Sequence, residues 1–133
     1  MPITRATPVD SIPEVLDPGS ETTPARTVVL VEPSEKVLAG HYPGFPIFPG
    51  ICLVEYVHQS ALDTLPGQDG SWKLAAIEST RFVSPVFPGD TVTTELSWQQ
   101  LPDTGAWRCK AVASTERGKA AQLRLRFEIR KGQ

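Results

Sequence analysis

The chain has 133 residues, enough for one domain with one core. Hydrophobic residues make up 40% and charged residues 21%, the composition of an ordinary globular domain. A net charge of −2 gives no general attraction to nucleic acid or to an anionic membrane, and no apolar run reaches the roughly 20 residues that span a bilayer.

The first ten residues, MPITRATPVD, lack an apolar signal-peptide core, which predicts a cytoplasmic protein. Residues 1–8 read as a flexible N-terminal arm on a single domain that fills the chain. Cys52 and Cys109 are too few and too far apart to suggest a metal site; a single disulfide stays open, although the reducing cytosol argues against it. Five prolines in the first 25 residues (Pro2, Pro8, Pro13, Pro18 and Pro24) discourage a long helix there.

Val9 to Leu16 reads as an irregular edge strand, where Pro13 is best tolerated. Asp17-Pro18-Gly19-Ser20 is a turn signal, and β-rich Thr27 to Val31 is the returning strand of a hairpin. Gly40 to Gly50, GHYPGFPIFPG, holds three glycines and three prolines and is neither regular helix nor central strand. The prolines reduce the freedom of the unfolded chain, so a defined loop is easier to hold. A rigid loop with a histidine can fix a catalytic group.

From Ile51 to Leu62 the chain is almost wholly apolar, broken by Glu55, His58 and Gln59. The β-forming residues Ile51, Val54, Tyr56 and Val57 make a strand a competitor. Its length and the Pro49-Gly50 entry favour a helix over Gly50 to Thr64, buried nearly all round. The remainder reads as an antiparallel meander. Trp72 to Val83 is a bent strand, Ser84 to Asp90 a turn, and Val92, Thr94, Leu96 and Trp98 one face of the next strand. Pro102 to Gly105 is a hairpin loop; Trp107, Cys109, Ala111 and Ala113 share a face beyond it. Leu123, Leu125, Phe127 and Ile129 alternate with charged residues in the last strand. The predicted class is α+β: a curved antiparallel sheet wrapped around a central apolar helix.

Three groups in this pattern suggest one chemistry. His41 can accept a proton near neutral pH, although a lone loop histidine is commonly just a surface residue. A carboxylate at Glu55, in so apolar a helix, carries a large desolvation cost unless it is paired or protonated; the alternative is a glutamate on a narrow wet stripe. Gly50 stands where the helix begins, so its N–H is unpaired within the helix and lets a carbonyl approach closely, unless Pro49-Gly50 is only an entry turn. Together a base, a polarised carbonyl and a proton donor suit removal of water from a 3-hydroxyacyl thioester. His41 would take the C2 proton, Gly50 N–H would hold the thioester oxygen, and Glu55 would protonate the C3 hydroxyl.

The run GHYPGFPIFPGICLVEYVHQSA, residues 40–61, resembles the signature of the 3-hydroxyacyl-acyl-carrier-protein dehydratases, in which an H-[FY]-P-G-x-P-x-x-P-G loop precedes a helical acid fourteen residues on. His41 and Glu55 have that spacing, and Glu55 is similar to the β-hydroxyacyl type rather than the aspartate of the dehydratase/isomerase branch. Gln59 matches the family's E-x-x-x-Q pattern, which implies that it supports the glutamate or a bound water. Arg81 to Asp90 is similar to the family's R-F-x-x-P-V-x-P-G-D block, a segment shared with other hot-dog proteins such as thioesterases. The usual lead-in P-H-R-x-P-F-L-L-V-D is absent except for its last residues, Val9-Asp10, which suggests a specialised relative serving a polyketide or polyene pathway.

The resemblance implies a hot-dog fold and a substrate carried on acyl carrier protein; the sequence has no nucleotide, flavin or metal motif, and the reaction needs no cofactor and no metal. It also implies a homodimer, with a heterodimer as the variant, in which His41 of one subunit meets Glu55 of the other. Phe45, Ile47 and Phe48 suit an acyl tunnel or subunit contact. His58, three residues from Glu55, is read first as a packed or interfacial residue, and second as a further catalytic histidine. Tyr56 is read as packing, and Trp72, Trp98 and Trp107 as core or interface. Arg124, Arg126, Arg130 and Lys131 form a basic face that suits either solvent or an acidic carrier. Arg81 pairs with an acid or contacts phosphopantetheine. A hot-dog thioesterase and a non-catalytic subunit of a heterodimer are the competing functions.

Overall fold

The computed structural model describes residues 11–20, 22–32, 48–66 and 72–129. The N-terminal arm, most of the proline-rich loop with His41, Phe45 and Ile47, and the tail residues Arg130 and Lys131 lie outside the described residues.

The chain runs β1 (Glu14–Asp17), β2 (Ala25–Leu30), α1 (Gly50–Thr64), β3 (Trp72–Phe82), β4 (Thr91–Gln100), β5 (Trp107–Thr115) and β6 (Gly118–Ile129). The first hairpin forms because Gly19 takes a positive φ of 67° and donates its N–H to Asp17 Oδ1 at 2.9 Å. All six strands make one antiparallel sheet in the order β1-β2-β4-β5-β6-β3. The α+β architecture agrees with the expectation.

The meander needs one correction. β4, β5 and β6 follow each other as expected, but β3 does not lie beside β4. It pairs with β6 at the far edge, and β4 lies instead beside β2. The Val83–Asp90 connection therefore carries the chain across the sheet. It is anchored on the way by Phe48 N–H to Val86 O at 2.8 Å, and by Asp90, which accepts from Phe87 N–H and from Arg117. The bend expected in β3 has a local cause: its register slips between Leu74 and Ala76 and again between Ile77 and Ser79. The second slip leaves Glu78 as the extra residue, and it reaches Arg108 of β5 at 2.7 Å and Arg126 of β6 at 3.0 Å.

Alternation puts Val92, Thr94, Leu96 and Trp98 on the inner face of β4, Trp107, Cys109, Ala111 and Ala113 on that of β5, and Leu123, Leu125 and Phe127 on that of β6. Ile129 ends the β6 pattern half exposed. The small residues of β5 let α1 lie close to the sheet. Two side-chain bonds fasten the helix to the strands below it. Thr27 and Ser60 hydroxyls meet at 2.7 Å, and Trp98 Nε1 donates to Thr64 Oγ1 at 3.3 Å. Cys52 and Cys109 are both buried and are not joined by a disulfide, and burial pushes the Cys109 thiol up to about 12.

Candidate active site

Helix α1 occupies the predicted span. It is not buried nearly all round, however. Cys52, Leu53, Tyr56, Val57, Ser60 and Ala61 face the sheet. Ile51, Val54, Glu55, His58 and Leu62 form a stripe that the sheet covers less completely, exposed at Ile51 and partly buried along the rest, with Val54 and Leu62 packed against the edge of the core and His58 against Phe127. Among the described residues there is one sheet, and a single sheet covers only one side of a helix. Glu55 sits in the middle of this mostly apolar stripe.

The Glu55 carboxyl is paired rather than isolated. Gln59, 2% exposed and one turn on, donates Nε2–H to Oε2 at 2.9 Å. His58 Nδ1 lies 3.4 Å from Oε1. Both neighbours come from the same helix because residues three and four apart share a face. The Gln59 hydrogen bond replaces water lost at a half-buried carboxyl.

At the start of the helix no side chain caps the backbone, Pro49 being the N-cap. Cys52 and Leu53 N–H both return to Pro49 O, at 3.0 and 3.2 Å, which leaves the Gly50 and Ile51 amides directed off the helix end. A cleft of about 460 Å³ opens at Gly50, lined by Phe48, Leu53, Phe82, Val83 and Val86 among others. A Cβ on Gly50 would stand 2.8 Å from Phe82 Cζ, so glycine is what allows the ring to lie over the helix entry. Phe48 seals the inner wall, 3% exposed and stacked on Tyr56 with ring centroids 5.0 Å apart.

The structure thus gathers Gly50 and Phe48 in one place and Glu55 and Gln59 in another. Five residues separate Gly50 from Glu55, which sets them about 140° apart around the axis and roughly 7.5 Å along it. Glu55 does not line the Gly50 cleft. The cleft residues Phe82, Val83 and Val86 were not singled out as site residues. Their signal was the Arg81–Asp90 block, read only as a mark of kinship. Trp98 and Trp107 are core residues packed edge to face, centroids 6.5 Å apart, as expected.

Among the described residues, a helix laid on an antiparallel sheet, with a carboxyl on its open stripe and an apolar cleft at its uncapped end, is the arrangement of a hot-dog-fold protein, and the dehydratase class within that fold follows from its relatives. The ApeI-like family, described as ApeI dehydratase, matches residues 18–126. The chain belongs to that family. It is 33% identical over 125 residues to the 3-hydroxyacyl-[acyl-carrier-protein] dehydratase FabZ of Acetivibrio thermocellus, covering 91% of this chain and 82% of the relative. It is 30% identical over 124 residues to the FabZ of Dechloromonas aromatica, covering 88% and 83%. The fold is shared with a chain of the dehydratase heterocomplex ApeI:P from Xenorhabdus doucetiae, at 21% identity and a TM-score of 0.63, over 86% of this chain and 96% of that one. No described helix is long and apolar enough to cross a membrane.

Proposed function

We propose that this chain removes water from a (3R)-3-hydroxyacyl thioester on acyl carrier protein, giving the trans-2-enoyl thioester, in fatty-acid or polyketide and polyene synthesis. The observation that carries the reading is the Glu55 carboxyl held on a half-buried apolar stripe by Gln59. His41 takes the C2 proton, and its electrons form the C2–C3 double bond. Protonated Glu55 gives its proton to the departing C3 hydroxyl, which leaves as water. The Gly50 N–H holds the thioester oxygen as negative charge gathers on it. The apolar cleft with Phe48, and Phe45 from the preceding loop, takes the acyl chain. No cofactor or metal enters this scheme.

We further propose that the whole chain acts as one cytosolic domain and that the working unit is a dimer. Two features support a site shared between subunits. Glu55 and the Gly50 cleft are set on different sides of one helix. The eleven-residue β3 is an edge strand, free of proline, carrying exposed Ile77 and Phe82 and followed by exposed Val83. Edge-to-edge pairing there covers these side chains and brings His41 of one protomer to Glu55 of its partner.

The test is a panel of (3R)-3-hydroxyacyl-carrier-protein substrates of several chain lengths, followed by intact-protein mass spectrometry. Loss of one water in the wild type, absent in His41→Ala and in Glu55→Gln, is the expected result. Release of free acid instead would identify a thioesterase. A folded dimer that dehydrates nothing would identify a non-catalytic or partner-dependent subunit.

A further inference from the structure

The E-x-x-x-Q pattern leaves the position three residues after the acid unspecified, and here it is His58. Its ring is fixed from two directions. One face lies against Phe127 of β6, centroids 6.3 Å apart and planes 23° apart. The edge presents Nδ1 to Glu55 Oε1 at 3.4 Å, a little longer than the usual hydrogen bond of about 2.7–3.2 Å. Gln59 holds the other oxygen. His58 and Glu55 side chains are 29% and 22% exposed, so water competes only in part for this contact.

We propose that His58 is a positioning residue for Glu55, donating Nδ1–H to Oε1. The inference rests on the role given to Glu55 above. A carboxyl gripped at one oxygen can still swing about its terminal torsion, which is broad for glutamate. Gripped at both, it has a fixed plane relative to α1 and keeps its remaining lone pairs directed away from the helix. An acid that must meet one hydroxyl gains from such pre-set orientation. The Nδ1–H also stabilises the carboxylate that forms when Glu55 gives up its proton, because hydrogen bonds to an ionised acceptor are stronger than those to a neutral one. Phe127 keeps the imidazole from rotating out of this arrangement, so the sheet takes part in orienting an acid that it does not touch.

Two substitutions separate this role from packing. His58→Phe keeps an aromatic ring on Phe127 and removes the nitrogen. His58→Asn discards the ring and keeps a side-chain N–H near the Nδ1 position. The proposal expects His58→Phe to lower kcat by about tenfold or more with little change in KM, and His58→Asn to regain most of that loss. A packing role predicts the reverse order, an active phenylalanine variant and an impaired asparagine variant, and would overturn it. Nitrogen-15 NMR of the full-length protein supplies a readout independent of turnover. The wild type should show a protonated-type His58 Nδ1 signal that shifts in Glu55→Gln. An unprotonated-type Nδ1 signal that ignores Glu55→Gln would overturn the proposal even in an active enzyme. If the wild type dehydrates no substrate, the dehydratase reading fails while the NMR result still decides whether His58 holds Glu55.

Discussion

Gln59 Nε2 donates to Glu55 Oε2 at 2.9 Å across a single helical turn, from a side chain that is 2% exposed. Removing that donor leaves the carboxyl without its shortest protein hydrogen bond. A hydrogen bond to a charged group is worth about 1.5–3 kcal/mol. Gln59→Leu is therefore expected to lower kcat roughly tenfold to a hundredfold in steady-state dehydration assays, with the far-UV circular dichroism unchanged.

Gly50 allows Phe82 to lie over the helix entry, where an added Cβ would come within 2.8 Å of the ring. The ring is half exposed and can turn aside, so Gly50→Ala should fold. It would still crowd the approach to the Gly50 N–H. A misplacement of about 1 Å can cost roughly a hundredfold in rate. Activity should fall by that order in Gly50→Ala. Adding Phe82→Ala should relieve the crowding measured by thermal denaturation without restoring kcat/KM, because the methyl group stays beside the amide.

The pH dependence of stability follows from two carboxylates that face arginines. The Arg108 hydrogen bond holds Glu78 below its ordinary 4.5, against the opposing effect of burial, with the charges of Arg108 and Arg126 adding to it. Burial pushes Asp90 up, but the Arg117 and Phe87 hydrogen bonds and the Arg117 charge together outweigh it, leaving the group below 3.8. A carboxyl depressed in the folded state contributes stability that is fully present above its unfolded value and is lost as the pH falls through the lower folded value. Urea midpoints should thus hold steady well above the ordinary carboxylate range and decline as the pH falls through and below it, with Glu78 and Asp90 both contributing. Glu78→Gln should make that decline shallower. It should also destabilise the protein at neutral pH, because Arg108 and Arg126 sit directly opposite one another and share Glu78.

The helix is tied to the sheet by the Thr27–Ser60 hydroxyl pair, 2.7 Å apart with both residues buried. Thr27→Val keeps the shape and strips Ser60 of that partner, at a cost of about 1–3 kcal/mol. Chemical denaturation should show this loss. The double variant Thr27→Val/Ser60→Ala should recover part of it, since neither hydroxyl is then left to satisfy.

Much of the architecture was readable before any coordinates. Helix α1 was legible to the residue because Pro49-Gly50 and Pro66-Gly67 bracket an apolar run too long for an ordinary strand. The inner faces of β4, β5 and β6 were legible because a period of two with one wet face has a single reading. Glu55 and Gln59 were legible as partners because their spacing is one helical turn. The place of β3 was not. Strand order depends on which edge the connection reaches, and the Val83–Asp90 segment has the composition of a simple turn whether it joins neighbours or crosses the sheet. The extent of the open stripe of α1 was also hidden, since a nearly all-apolar sequence does not say how many sides its own chain covers.

By itself, then, the sequence determined the local elements, the family motif and the pairing of residues one helical turn apart, all of which depend on near neighbours in the chain. Only the tertiary structure decided that β3 is an edge, that Phe82 closes over Gly50, and that His58 is pinned between Glu55 and Phe127. The β3 edge, the Phe82–Gly50 approach and the His58–Phe127 contact join residues far apart in the chain, and such contacts depend on how separate elements pack, which no local pattern encodes.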